Sequence, residues 1–398
     1  MSGEQSVARV LLFTGKGGVG KTTTAAATAI ELSRRGHRVV VTSADPAHSL
    51  SDATGTALGA EPLEVLPGCW AQELNALERM EESWGEVRTW LVELFRWAGV
   101  AGLEAEELAI LPGLEELVAL MEIGRLVRGG DHDVVVVDCA PTAETVRLLS
   151  MPDLLDWFFR RAFGMTRRVS RAVAPVLRTV SDVPVAPVEV FDALEGLHAE
   201  LVDVRSLLTD PAVTSARIVA TPESMVLSEA RRTLTYLSLF GYHTDAVVLN
   251  RVLPTGSEDP FLQAMATGQA RQVELADAEF APMAVLRAAH APGEVTGTDA
   301  LAAHGLALWE DADPAQDLCP GRAMAVDYTE GNPVLVLNLP NVESHEVDLT
   351  AVDGDLAVAV GPYRRNLALP AGLRGKQVRS ARVERGELRI EFCALGAQ

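Results

Sequence analysis

Gly15-Lys16-Gly17-Gly18-Val19-Gly20-Lys21-Thr22 follows the apolar run Val10–Phe13 and opens an alanine-rich helical pattern that runs to Arg35. The spacing G-x-x-x-x-G-K-[ST] is that of a phosphate-binding loop. Glycines let successive backbone N–H groups turn inward and approach phosphate oxygens, where a Cβ would obstruct them. Lys21 is set to reach the β- and γ-phosphates and Thr22 to offer its hydroxyl to Mg²⁺, at a helix N-terminus that carries partial positive charge. Gly15, Gly17, Gly18, Val19, Gly20, Lys21, Thr22 and Thr23 are therefore the expected contacts to ATP. Lys16 is a second lysine inside the loop, for which a nucleotide site within one chain has no evident use.

Two aspartates stand where such a loop needs acids. Arg38–Ser43 reads as a strand and delivers Ala44-Asp45-Pro46-Ala47-His48-Ser49 to a loop, because proline disfavours continued pairing and restricts the residue before it. At the carboxyl end of a strand, Asp45 lies where open α/β sheets bind ligands and is set to orient the water that attacks the γ-phosphate. An N-cap aspartate is the alternative on this segment alone. Asp133–Asp138 is a short run of valines closed by acids, typical of a strand buried on both faces. Asp138 then falls where phosphate-loop ATPases place the acid that supports Mg²⁺, usually through water.

The elements that must position these groups follow from the pattern. Ala8–Phe13 and Arg38–Ser43 read as strands around a helix ending near Gly36, and Leu74–Arg128 looks helical with breaks at Gly99–Gly102 and Pro112-Gly113. Leu154–Val180 carries apolar residues at steps of three or four, with Arg160, Arg161, Arg167, Arg168, Arg171 and Arg178 on its other positions. Two readings fit it: a lid helix with solvated arginines, or a surface for an apolar helical client. Pro187–Leu208 is a further helix; Ala216–Ala220, Thr244–Leu249 and Met283–Leu286 read as strands, and Asp299–Trp309 as the closing helix. Period-two alternation at Leu356-Val358-Val360, Leu367-Leu369 and Leu388-Ile390-Phe392, with turns at Asp353-Gly354 and Arg385-Gly386, then marks a small all-β domain. The expected fold is α/β, a mostly parallel doubly wound sheet with a helical insertion, plus a C-terminal all-β sandwich. Its boundaries are 1–311 for the ATPase domain, with the insertion within about 70–130 and 151–210, 312–331 for a linker and 332–393 for the sandwich.

Composition bounds the rest. The length of 398 residues suggests two or three domains, and a net charge of −21 argues against general affinity for nucleic acid or anionic lipid. Cys69, Cys139, Cys319 and Cys393 form no C-x-x-C, which fits neither a disulfide framework nor a metal site and suits a reducing cytoplasm. No N-terminal signal pattern and no apolar run of membrane-spanning length is present.

Gly15–Thr22, Asp45-Pro46-Ala47-His48-Ser49 and Asp138-Cys139-Ala140-Pro141-Thr142 together resemble the deviant phosphate loop and two switches of the arsenite-pump and tail-anchored-protein-targeting ATPase family. Cys139 stands where that family commonly has threonine, and Ala143-Glu144 where it has Gly-His. The resemblance implies a homodimer in which Lys16 reaches the partner's nucleotide, Asp45 orients the hydrolytic water and Asp138 supports Mg²⁺. Thr221-Pro222-Glu223, with Glu229 and Arg232, also looks like the family. Asn250 resembles the residue that hydrogen-bonds adenine, a turn asparagine being the alternative, and Ala291-Pro292-Gly293-Glu294 resembles the loop near the base. Val252–Leu275 lacks the C-x-x-C that binds zinc in eukaryotic members, so no zinc is expected. Asn338–Val342, Leu367–Pro370 and Glu384–Leu388 look like the α-crystallin core of small heat-shock proteins. The resemblance spans residues 8–310 and 332–393 and fits the cyanobacterial, plastid and actinobacterial branch in which the two parts are fused.

These readings lead to a cytoplasmic, homodimeric, Mg²⁺-dependent ATPase that opens and closes an apolar surface for a helical protein client. No nucleic-acid partner is expected, and membrane association would be transient. A soluble ATPase subunit of an arsenite or anion transporter, and a nucleotide-gated binding module with little turnover, are the alternatives.

Overall fold

The computed structural model describes residues 7–45, 49–74, 89, 92, 114–158, 188–310, 312–328, 332–352, 355–367, 369, 372–373 and 375–394. In chain order the first elements are β1 (Arg9–Thr14), α1 (Lys21–Arg34), β2 (Val39–Ser43), α2 (Ser49–Thr54), β3 (Leu63–Leu66), β4 (Cys69–Glu73), α3 (Leu114–Arg128), β5 (Val134–Asp138), α4 (Thr142–Phe158) and α5 (Val188–Thr209). They are followed by β6 (Thr214–Ala220), α6 (Ser224–Phe240), β7 (Thr244–Val252), α7 (Pro260–Glu279), β8 (Ala284–Ala289) and α8 (Thr298–Trp309). The sandwich strands are β9 (Met324–Asp327), β10 (Val334–Asn338), β11 (Val347–Val352), β12 (Asp355–Val360), β13 (Tyr363–Leu367), β14 (Lys376–Glu384) and β15 (Glu387–Ala394).

Eight strands form one sheet in the order β3-β4-β2-β5-β1-β6-β7-β8, parallel except for β3. The valines of β5 and the apolar residues of β1 are buried throughout, as a parallel strand covered on both faces requires. β1 lies between β5 and β6, with Leu11 opposite Val136 on one side and Ser215 on the other. The chain therefore winds away from β1 in both directions, and the crevice at its carboxyl end is the switch point of the sheet. α1 lays its alanines on this sheet and on α8, where the buried Trp309 donates Nε1–H to Thr28 Oγ1 at 3.0 Å.

Residues 75–125 and 147–206 form a second compact unit, of which parts of α3, α4 and α5 are described. Leu117, Leu120 and Ile123 on α3 and Leu201 and Val204 on α5 are buried. Most of the helical stretch expected over 74–128, and the amphipathic stretch beyond Phe158 with its arginines, lie outside the described residues. So do Pro46, Ala47, His48 and the expected turn at Asp353-Gly354.

The C-terminal strands make a four-stranded sheet, β14-β15-β10-β9, and a three-stranded one, β11-β12-β13. Their inner faces meet through Leu335, Leu337, Val358, Leu388, Ile390 and Phe392, the arrangement of a β-sandwich. β9 pairs with β10 although Met324–Asp327 falls inside the stretch expected as a linker. The sandwich is bound into the first unit by the C-terminal half of α6. Leu239 lies within its core cluster, Arg365 Nη1 donates to Leu239 O at 2.6 Å, and Thr235 Oγ1 donates to Pro340 O at 2.7 Å. The Tyr236 and Tyr363 rings meet with centroids 4.4 Å apart and planes tilted by 56°.

A second tether runs along 312–319. Arg217 and Asp245, both fully buried on neighbouring strands, pair at 3.1 Å. Arg217 Nη2 also donates to Gln316 O at 3.1 Å, its guanidinium lies 4.8 Å from the Trp309 ring, and Asp245 accepts from Leu318 N at 3.2 Å. Arg9 Nε reaches Ala315 O at 3.2 Å, and His243 Nε2 meets Asp317 Oδ1 at 3.0 Å.

Candidate nucleotide site

The phosphate loop is clamped from behind. Gly15 has φ 150°, and a Cβ there would lie 2.1 Å from Val219 O on β6; Gly20 has φ 94°, and a Cβ would lie 2.2 Å from Asn250 Nδ2. Both distances are far inside contact, so glycine is required by the neighbours as well as by the turn. Gly15→Ala is expected to weaken ATP binding by about 1–3 kcal/mol, the usual range for overpacking a tight site. Titration with a fluorescent ATP analogue measures this, and an unchanged affinity would mean that the loop moves aside without cost.

Asn250 is part of that clamp. β7 runs on to Val252, so the asparagine sits within the strand rather than after it, almost fully buried. It donates Nδ2–H to Val19 O at 2.9 Å and accepts Arg251 N–H on Oδ1 at 2.9 Å. An amide has a second N–H and a second lone pair. Asn250 also lines a cavity of about 600 Å³ together with Gly20, Thr23, Arg251, Ala291-Pro292-Gly293-Glu294 and His304. This volume suits a small-molecule site, and it opens between the start of α1 and the ends of β7 and β8. The segment expected near the base is thus brought to the loop. His304, which the sequence did not single out, lines the cavity with its Nε2 buried and unpartnered among the described residues, and burial lowers its pKa.

On the other side of the loop the acids converge. Lys21 is buried, with Nζ 3.5 Å from Lys16 O, and Thr22 Oγ1 lies 2.9 Å from Ser49 Oγ. Asp138 ends β5 and is fully buried. Its Oδ2 accepts from Ser43 Oγ at 3.5 Å, while Oδ1 has no hydrogen-bond partner among the described residues. Burial pushes this carboxyl up to about 7; Thr22, Lys21 and Ser43 pull it down, and the Asp45 carboxylate raises it further. Ser43 joins the two acids, since its Oγ also accepts from Asp45 N at 3.3 Å. Sequence reading passed over Ser43, because a serine closing an apolar strand carries no signal of its own. Asp45 is half-buried at the end of β2, beside the end of β5.

The donor set suits a hard cation bridged to phosphate. Asp138 presents an orphaned buried oxygen beside the Thr22 hydroxyl and the Lys21 ammonium, and few protein ligands is the habit of Mg²⁺, which keeps waters and takes phosphate oxygens. Among the described residues no group of three or more His, Cys, Asp and Glu could by itself hold a metal ion.

Lys16 is directed elsewhere. Its ammonium is 3.6 Å from Glu229 Oε2 on α6, and its side chain is 41 % exposed. Gly17 and Gly18 are exposed beside it, and Val19 is buried. Cys69 and Cys139 are buried, and burial raises both thiols to about 12. No helix among the described residues is long and apolar enough to cross a membrane.

A model of the anion-transporting ATPase family matches residues 8–309, and one of an HSP20-like domain found in ArsA matches residues 330–392. A putative arsenical pump-driving ATPase of Chlorobaculum tepidum is 34% identical over 389 residues, covering 96% of both chains. Putative arsenical pump-driving ATPase 1 of Aquifex aeolicus is 34% identical over 393 residues, covering 96% of this chain and 99% of its own. ATPase GET3B of Arabidopsis thaliana is 29% identical over 320 residues, 74% of this chain and 77% of its own.

Proposed function

This chain belongs to the anion-transporting ATPase family, and from that premise we propose a cytoplasmic, homodimeric, Mg²⁺-dependent ATPase whose nucleotide cycle opens and closes an apolar surface for a helical protein client. The observation that carries the reading is the unpartnered, buried Asp138 oxygen beside Lys21 and Thr22, with Asp45 next to it. Thr22 and, through water, Asp138 would hold Mg²⁺, which neutralises charge on the β- and γ-phosphates when bound. Lys21 holds the phosphates from within its own chain. Lys16, itself 41 % exposed and paired with the half-buried Glu229 on α6, would exchange that carboxylate for the nucleotide of a second copy. Asp45 orients the water for in-line attack. Catalysis is then mostly positioning and charge stabilisation.

The client reading draws on chain order. α4 starts at Thr142, four residues after Asp138, and leads into the helical unit, so a shift at the acid is passed along a continuous helix. No nucleic acid enters this reading, given the charge of −21. Asp45→Asn is the test. ATP affinity is expected to stay within about threefold while phosphate release falls by about 10²-fold or more, the usual worth of a positioned general base. Equal turnover would remove Asp45 from the mechanism.

The names of the relatives favour a second reading, the soluble motor of an arsenite or other anion pump. Arsenite is bound by thiolates, and two of the four cysteines are buried thiols held protonated. Stimulation of the ATPase by arsenite would support that reading over the client one.

A further inference from the structure

A cavity of about 390 Å³ lies where the sandwich meets the ATPase sheet, and it shares no lining residue with the nucleotide cavity. Four segments enclose it: the end of α6 with the start of β7, the turn between α7 and β8, residues 319–323, and the loops after β10 and β14. Its apolar wall includes Leu234, Pro282 and Met283. Its polar side is unbalanced. Arg322 and Arg385, both exposed, line its mouth, and neither has a side-chain hydrogen-bond or ion-pair partner among the described residues. The carboxylate in the lining, Glu279, is already paired with Arg231.

The backbone is strained toward the same place. Arg385 and Gly386 form the tight turn between β14 and β15, with φ 53° and 77°. A turn of this kind asks for Asn-Gly, because a side chain with φ above zero meets its own carbonyl, at roughly 1–2 kcal/mol. Asn341, with φ 62°, is a second left-handed residue of the lining. Sequence choices that break a local rule without a local gain mark functional positions more often than others.

We propose that this cavity binds a small organic anion, a compact apolar body with one carboxylate or phosphate, which Arg322 and Arg385 receive. The guanidinium fork matches either oxyanion, and the volume is that of a small-ligand pocket. The ligand touches the sandwich and the ATPase domain at once, so its binding stabilises the junction in proportion to its occupancy.

Phenylacetate, phenyl phosphate and uncharged benzyl alcohol, added to the full chain, are the probes, read by calorimetric titration and by the shift in melting temperature. At least one anion is expected to bind one to one with Kd below about 1 mM, and benzyl alcohol not to bind. The anion that binds tells a carboxylate ligand from a phosphate ester. Arg385→Asn suits the turn better than arginine and so keeps the fold, and it is expected to weaken binding about tenfold, as is Arg322→Ala. Both variants should hydrolyse ATP at the parent rate, so the outcome is independent of the nucleotide site. No binding of either anion at about 10 mM, equal binding by the variants, or equal binding of benzyl alcohol would each overturn the proposal.

Discussion

Arg217→Ala lowers the stability of the full chain by about 3–5 kcal/mol, the cost of leaving one member of a buried ion pair without the other. Arg217 is fully buried on β6 and satisfies Asp245, Gln316 O and the face of Trp309 together. Truncation strands a carboxylate with no solvent to turn to, and it frees the 312–319 tether at Gln316 O. Urea unfolding should show the midpoint moving to lower concentration. The double variant Arg217→Met with Asp245→Leu removes both charges and should recover most of the loss, since well-packed apolar residues often replace a buried pair without penalty. A single variant as stable as the parent would mean that water reaches Asp245.

Asp138→Asn has opposite effects on stability and on turnover. The native carboxyl is raised to about 7 from 3.8, chiefly by burial. Below the unfolded value both states hold the proton and nothing is lost. As pH rises toward 7 only the unfolded chain ionises, and stability falls; above 7 the full deficit, on the order of 4 kcal/mol, is present. Asparagine never carries the charge. At pH 8 the nucleotide-free variant should therefore melt several degrees higher than the parent, and below about pH 4 the two should converge. Its phosphate release with Mg²⁺ should fall by about 10²-fold or more, because the charge that burdens the empty protein is the one the cation needs. A variant no more stable than the parent at pH 8 would show that Asp138 is already compensated without ligand.

The places of the candidate site residues were legible because each is marked by a pattern of a few residues. A glycine-rich loop between an apolar strand and a helix, and acids closing apolar strands, are local patterns, and Gly15–Thr22, Asp45 and Asp138 are all found at the carboxyl ends of β1, β2 and β5. The sandwich was legible for the same reason, through its period of two. Asn250 was only half readable: resemblance marked it as an adenine contact, but its bond to Val19 O spans 231 positions and leaves no local trace. The Arg217–Asp245 pair shows the same limit. An arginine inside the apolar run Ala216–Ala220 is the one available hint, and it does not name a partner 28 positions away. α7 was missed outright, because only Ala266 and Ala276 of the helix residues are buried and its pattern has no apolar stripe to read, although Asp259-Pro260 is a regular helix start.

α6 reaches into both halves of the first unit, and this decides where the chain can be cut. The two family matches stop at 309 and resume at 330, which invites separate expression of the two parts. A cut there would leave Leu239 on the first fragment facing water and take one residue out of the core of the second. It would also strip Gln316 O from Arg217 and Leu318 N from Asp245, at a pair that has no other solvent. The boundary between the two family matches is thus not a boundary in the folded protein: each part, made alone, would expose the surface the other covers.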